Sequence, residues 1–398
     1  MARVLYLSHD GLMEPLSQSQ VWQYLRKLAK NHEITLVTFE KKKDWLDSTR
    51  RNALIEEVNK AGIRWVALKY HKSPKIVAAG FDLAACLLVS IYLTLRHRIE
   101  MVHVRNAPFA LMGLLLKMMF GVRFIFDMRG FWADERVDGG LWKKNGLLYK
   151  INKWLEKYYF LKSDTVVVLT QAAVDEIEKL DYLKNRDIHI EIIRTCTNLE
   201  LFYPKSLRVR FKDEGFTLGY LGNVGTWYLF DPALVFFNTL REFRPQAKLL
   251  FINDGQHEYI RSRLKAFNIP DSCVELKTIP FSNSPDEICR MDAVVFFIKP
   301  VFSKKSSMPT KLGELFGCGV PCVTNSGIGD VDQILKEEQA GVLLYQFNQE
   351  EMRRAAKQLL ELTKDPQISN RCVKTARKYF SLEDGVETYD KIYKRLSN

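Results

Sequence analysis

The run Arg3-Val4-Leu5-Tyr6-Leu7-Ser8 is closed by His9-Asp10-Gly11, and residues 18–31 then carry helical spacing through Val21, Tyr24, Leu25 and Leu28. Glu33-Ile34-Thr35-Leu36-Val37-Thr38-Phe39 follows as a second short apolar run. Strand, helix and strand of this size make a βαβ unit, and such units build parallel sheets. Outward from it the rhythm continues, with predicted strands at 64–68, 101–104, 122–128, 165–169 and 189–193. Predicted helices at 76–95, 107–119, 145–160 and 171–179 fall between them. Residues 203–215, polar and charged with one proline, interrupt the alternation and are read as a linker. A second series follows, with strands at 216–221, 248–252, 273–277, 293–298, 320–324 and 341–344. Its helices are predicted near 230–243, 256–267, 310–317, 330–337 and 350–363. Residues 370–396 are helical with a break at Phe380-Ser381-Leu382. The stripe Val386, Tyr389, Ile392, Tyr393, Leu396 on the last part suits a return to the first lobe.

The expected fold class is therefore α/β, with two doubly wound, Rossmann-like lobes facing a central cleft. The domains read as 1–205, 206–378 and a C-terminal helix, 379–398. A length of 398 residues fits two domains at roughly 100 to 200 residues each.

Composition excludes several classes. There is no disordered tract and no internal repeat. The seven cysteines are scattered, without C-x-x-C pairs or zinc-finger histidines, which points to free thiols in a reducing compartment. Met1-Ala2-Arg3 runs straight into a strand, so cytoplasmic residence is expected. The net charge of +12 is concentrated early: residues 1–205 hold 32 Lys or Arg against 23 Asp or Glu. Ile76 to Leu95 has nearly the length of a membrane span, but Asp82, Gly80, Ser90 and Thr94 interrupt it. With Lys72, Lys75, Arg96 and Arg98 around it, a buried or interfacial helix near an anionic membrane surface is the expectation. An ordinary solvated basic surface is the plainer alternative. Nucleic acid is not expected as a partner, because no recognisable binding module is present.

Ligands of open α/β sheets bind beyond the carboxyl ends of strands. After the predicted strand 293–298, hydroxyls and cations lead to Pro309-Thr310-Lys311-Leu312-Gly313-Glu314 at a helix start. Such a start offers unpaired N–H groups and partial positive charge to a diphosphate, and Thr310 and Lys311 add a hydroxyl and a cation. Glu314 lies on the same face and can accept hydrogen bonds from adjacent ribose hydroxyls. The alternative is an ordinary Lys311–Glu314 surface ion pair. The lone Asp-x-Asp, Asp330-Val331-Asp332, opens a helix after a glycine-rich turn. No metal and no other cofactor is expected, and Asp332 is a candidate acceptor for a sugar hydroxyl.

The segment Pro309 to Pro321, together with Gly327-Ile328-Gly329-Asp330-Val331-Asp332 and Gly341-Val342-Leu343-Leu344, resembles the glycosyltransferases of family 4, which have the GT-B fold. The likeness covers nearly the whole chain. Leu7 to Val21 is similar to the first loop of bacterial polysaccharide-assembly members. Phe126 to Glu135 is similar to their cleft-facing segment, Ile193 to Phe202 to the entry of their linker, and Gly219 to Gly225 to their first C-domain strand and glycine loop. The resemblance implies a retaining, metal-independent transfer from a nucleotide sugar to a glycan or polyprenyl-linked acceptor. It makes Gly222, Asn223, Thr226, Ser306, Ser307, Thr310, Lys311 and Glu314 the donor-binding candidates. His9, Asp10 and Gly11 become the acceptor loop, and Asp127, Arg129 and Glu135 the catalytic candidates, with a structural ion pair as the alternative for the last group. Two departures stand out. Members commonly carry two glutamates with seven residues between them; Glu314 fits the second, but the first falls at Ser306. The basic pair many members place after the first C-domain strand is replaced by Asn223-Val224-Gly225-Thr226-Trp227-Tyr228. A non-catalytic GT-B partner protein and a GT-B sugar-nucleotide epimerase are the alternative functions.

Overall fold

Thirteen strands, all paired in parallel, fall into two sheets in the computed structural model, which describes residues 1–205 and 215–397. The first sheet contains β1 (Arg3–Ser8), β2 (Glu33–Glu40), β3 (Arg64–Lys69), β4 (Met101–Arg105), β5 (Arg123–Asp127), β6 (Thr165–Val168) and β7 (Ile190–Ile192), in the order β3-β2-β1-β4-β5-β6-β7. The second contains β8 (Thr217–Leu221), β9 (Lys248–Ile252), β10 (Val274–Lys277), β11 (Ala293–Val295), β12 (Cys322–Asn325) and β13 (Gly341–Leu344), in the order β10-β9-β8-β11-β12-β13. Strand order reverses between β1 and β4 in one sheet and between β8 and β11 in the other. At such reversals neighbouring loops diverge and leave a crevice. The chain is thus α/β with two doubly wound sheets.

The chain divides into two compact units, Met1–Arg194 with Leu382–Asn398, and Thr195–Ser381. Residues 195–205, which the sequence groups with the first lobe, are tied into the second unit. The Thr195 hydroxyl donates to the Met308 carbonyl, and the Thr197 N–H donates to the Phe380 carbonyl. The linker expected at 203–215 lies largely outside the described residues. The Leu382–Ser397 helix belongs to the first unit, where it buries Tyr389, Ile392 and Tyr393.

Alternation of branched and aromatic residues fixes the strands, and helices on both faces bury them. In the second unit Phe230, Phe236 and Phe237 of the Phe230–Phe243 helix meet Phe251 of β9 and Phe297 just beyond β11. Each such side chain contributes about 1.5–3 kcal/mol on burial. The predicted strand 293–298 ends early, at Val295, because Ile298 is held by the Asn325 side chain: its N–H donates to Asn325 Oδ1, and Asn325 Nδ2 donates to its carbonyl.

The Lys75–His97 helix packs on the Ala107–Phe120 helix and is the one helix among the described residues long and apolar enough to cross a bilayer. Asp82, the charge within it, is buried and accepts from both the main-chain N–H and Nδ1 of His71.

Candidate functional site

In the second unit the chain leaves β8 through Gly222, whose φ of +90° suits glycine; a Cβ there would also stand 3.7 Å from Lys311 Nζ. The loop that follows is stitched from both sides. Asn253 Nδ2 donates to the Gly222 carbonyl, while Gln256 accepts the Val224 N–H and donates to the Val224 carbonyl. On the other side Leu229 N–H donates to Phe297 and Lys299 N–H to Trp227, carbonyl in each case. The loop after β8 is thereby laid along the exit of β11, where the strand order reverses.

From that exit the chain turns through Phe302–Ser306 into the Thr310–Gly317 helix. Pro309, extended at φ −63° and ψ 120°, precedes the first turn, and no side chain caps it. Its leading N–H groups and the positive end of its dipole therefore remain available to an anion. Lys311 lies in this first turn and is buried. Its Nζ donates to the Leu221 carbonyl at 2.7 Å and stands 4.1 Å from the Tyr228 ring centroid and 5.0 Å from that of Phe296. Burial among these rings disfavours the ammonium and brings Lys311 down to about 7, against the opposing pull of Glu314.

Glu314, one turn on, is half-buried. The expected alternative of a Lys311–Glu314 ion pair is not what forms, since Lys311 turns to a backbone carbonyl. Among the described residues the Glu314 carboxylate has no hydrogen bond and no ion pair. Desolvation pushes it up to about 7, with Lys311 pulling the other way, and burial together with Glu314 raises the Tyr228 phenol to about 12. A buried cation and a desolvated carboxylate with open hydrogen-bonding capacity suit a diphosphate and a ribose diol respectively.

The remaining donor-side candidates divide. Asn223 and Thr226 are exposed on the same loop, Thr226 in a left-handed conformation at φ +54°. Ser307 and Thr310 are half-buried. Ser306, which falls where the family carboxylate is absent, is buried and its hydroxyl donates to the Ser303 carbonyl at 2.8 Å, while the neighbouring Ser307 is half-buried. Asp332 is likewise engaged, accepting the Gly327 N–H at 3.1 Å. Sequence reasoning missed Lys304, Asn253 and Gln256. Lys304 is buried with its Nζ 3.9 Å from the Trp227 ring centroid. A cation 77 positions away from its aromatic partner leaves no spacing signal, although Lys304 is visible among the cations leading to the helix.

In the first unit the loop after β1 holds His9, Asp10 and Gly11 beside the end of β4. Asp10 accepts from Asn106 Nδ2 at 3.3 Å and lies 3.6 Å from His9 Nδ1. Burial works against its charge, but His9, Arg105 and Lys41 hold it below the usual carboxylate range. Gly11 is required because a Cβ would come 2.7 Å from Glu40 Oε2, and Glu40 Oε1 accepts the Leu12 N–H. His9 is half-buried, its ring packing near Tyr70 and Phe109.

Asp127, a catalytic candidate with a structural ion pair as its alternative, is fully buried at the end of β5. Tyr389 OH donates to its Oδ2 at 3.0 Å, Arg129 Nη1 donates to Oδ1 at 3.4 Å, and His103 and Arg105 stand at 3.5 and 3.8 Å. Burial alone would raise this carboxyl; Arg129, then His103 and Arg105, hold it well below its ordinary value. Burial pushes the His103 imidazole below its ordinary value, against the opposing pull of Asp127, and the ring also meets the Tyr393 hydroxyl at 2.7 Å. The ion-pair alternative therefore describes Asp127 and Arg129, with Arg129 reaching Gln20 Oε1 as well. Glu135 stands apart from this cluster in the first turn of the Trp132–Asp138 helix, half-buried. Among the described residues no three His, Cys, Asp or Glu side chains converge as metal ligands would.

Two doubly wound parallel sheets, one with an uncapped helix start, a buried lysine and an unpaired glutamate at its switch point, are the architecture of the GT-B class. Comparison with known proteins agrees. A glycosyl transferase 4-like domain model matches residues 17–190, and a glycosyl transferases group 1 model matches 206–379. Sucrose-phosphate synthase from Thermosynechococcus elongatus superposes with a TM-score of 0.75 at 15% identity, over 100% of this chain and 99% of that one. HepE of Anabaena, solved with UDP and glucose, gives 0.70 at 11% identity over 100% of both chains. WaaG, a glycosyltransferase involved in lipopolysaccharide biosynthesis, gives 0.66 at 12% identity over 97% and 99%. No curated protein sequence matches the chain. The chain belongs to the family 4 type of glycosyltransferases, and it is a glycosyltransferase of nucleotide sugars.

Proposed function

We propose that the protein holds a nucleotide-diphosphate sugar at the β8/β11 switch point and transfers the sugar, with retention and without a metal, to a glycan or polyprenyl-linked acceptor in cell-envelope polysaccharide or glycoconjugate assembly. The single observation that carries this reading is the Lys311–Glu314 arrangement: two ionisable groups on one helical turn, desolvated and not paired with each other. In this reading Lys311 and the N–H groups of the Thr310–Gly317 helix receive the diphosphate, and their positive potential stabilises charge on the departing phosphate. Glu314 receives the ribose hydroxyls. Thr226 on the loop after β8 and Ser307 and Thr310 at the helix start offer further hydroxyls to the donor, and the acceptor hydroxyl attacks the face from which the phosphate leaves. A basic first unit suits an acceptor residing at an anionic membrane, with the protein in the cytoplasm on its inner face.

HepE's complex with UDP and glucose makes a UDP-sugar the first donor to test. A thermal-shift series against UDP-, GDP-, ADP- and dTDP-sugars should show stabilisation by one base, about 2.7 kcal/mol at 100 times the Kd. Lys311→Met should abolish that shift while the protein remains folded. An unchanged shift in Lys311→Met would remove the diphosphate assignment. The anomeric configuration of the product, read by NMR, decides between retention and inversion, and full activity with a chelator present is the expected result.

A further inference from the structure

The Lys75–His97 helix shows the outside of the protein the wrong face for water. Val77, Phe81, Ala84, Leu88, Tyr92 and Leu95 follow the four-three spacing of one helical stripe, and all are exposed, Val77 at 70% and Leu88 at 68%. Its buried side carries Ala78, Asp82, Cys86, Ser90 and Thr94. From Val77 to Leu95 no charged residue is exposed, so an apolar strip about 27 Å long faces outward. A surface helix in water normally has the opposite polarity.

A second strip continues the pattern. The Leu147–Lys162 helix packs on the Ala107–Phe120 helix, as the Lys75–His97 helix does, so all three share one face of the first sheet. Leu147, Ile151 and Trp154, again at four and three residues' spacing, are exposed, Leu147 at 74% and Trp154 at 58%. Beside them Lys143, Lys144 and Lys150 are exposed, and among the described residues none of the three is in an ion pair. Lys72 and Arg96 are exposed at either end of the first strip.

We propose that the outer faces of the Lys75–His97 and Leu147–Lys162 helices form one docking surface for an anionic phospholipid bilayer. Apolar side chains enter the headgroup region while the unpaired lysines meet lipid phosphates. The first helix lies along the bilayer and does not cross it, because its other side is fixed to the Ala107–Phe120 helix and Asp82 is bonded to His71. Unpaired cations ringing the strips favour anionic lipid over a second copy of the same basic surface. The inference deepens the membrane-acceptor reading above and rests on it for its purpose.

The test is co-sedimentation of the full chain with vesicles of phosphatidylcholine, with and without phosphatidylglycerol, at low and high salt. Binding is expected to the anionic vesicles, weakened by salt. Two variants probe the two components: Phe81→Gln/Leu88→Gln/Tyr92→Gln removes the apolar strip, and Lys143→Glu/Lys144→Glu reverses the charge. Each should weaken vesicle binding by about tenfold or more, with unchanged Tm and an unchanged thermal shift on donor binding. Absence of wild-type binding, or binding unaffected by both variants, overturns the proposal. So does a dimer in solution that the first variant disperses. Loss of vesicle binding with donor binding retained leaves the transferase reading standing, whereas loss of the donor shift alone strikes that reading and not this one.

Discussion

The ends of β5 and the turn after β11 both gather charge, and they treat it in opposite ways. Around Asp127 the carboxylate is answered from every side: Arg129, Arg105, His103 and Tyr389 surround it, and it is held ionised far below its ordinary range. Around Glu314 the charges are left unanswered: Lys311 donates to a carbonyl, Glu314 accepts from nothing among the described residues, and each is driven by burial toward its neutral form. Satisfied buried charge organises a fold, and unsatisfied buried charge is a standing free-energy cost that a ligand can relieve. By that contrast the first cluster is a satisfied ion-pair group, and the second is the one at which ligand binding is proposed.

The contrast can be broken by mutation. The largest effect should come from Asp127→Asn, which strands a buried guanidinium and should cost about 3–5 kcal/mol of stability in urea unfolding, with nucleotide-sugar affinity kept in whatever fraction stays folded. A small stability loss there, accompanied by lost turnover, would move Asp127 back to the reacting centre. Next, Glu314→Ala should weaken donor binding by about 1.5–3 kcal/mol in calorimetry, yet leave the ligand-free Tm unchanged or higher because a desolvated carboxylate has gone. Wild-type donor affinity in that variant would sink its ribose role. Gln256→Ala, which releases both backbone groups of Val224, should cost about 1–2 kcal/mol and raise the donor KM with little change in kcat.

The contrast also has a signature in pH. Glu314 titrates near 7 in the folded chain against 4.5 ordinarily, so the folded state binds more protons across that window and stability falls as pH rises through it. Lys311 titrates near 7 against 10.5, so the unfolded state binds more protons above neutrality and stability rises from there upward. The ligand-free protein should therefore show a minimum in urea midpoint near neutral pH, with the acid limb absent in Glu314→Gln. A diphosphate favours the ammonium, so donor binding above neutrality should take up a proton, measurable by calorimetry in buffers of different ionisation enthalpy.

Parallel strands and their helices were legible in the sequence because branched and aromatic runs announce themselves, as in β1, β2 and β13. The Ser48–Lys60 helix was not, since it buries only Leu54 and Val58 and is otherwise polar; Asp47, which caps it by accepting the Arg50 N–H, was the signal available. The π-helical turn at Gln18–Trp22 has no pattern of its own in the sequence. Lys311 and Glu314 were readable because three residues on one helix is a local relation. The surroundings of Asp127 were not, because the Tyr389 hydroxyl that meets it comes from 262 positions away.

That same tyrosine sets an order on biosynthesis. The first unit is discontinuous, lacking the Leu382–Ser397 helix until the whole second unit has left the ribosome. Until then Asp127 and His103 have strands on either side but no tyrosine hydroxyls, so the half of the protein made first should be the last to reach its final stability, and a nascent chain halted before Leu382 should remain sensitive to protease within residues that are already fully translated.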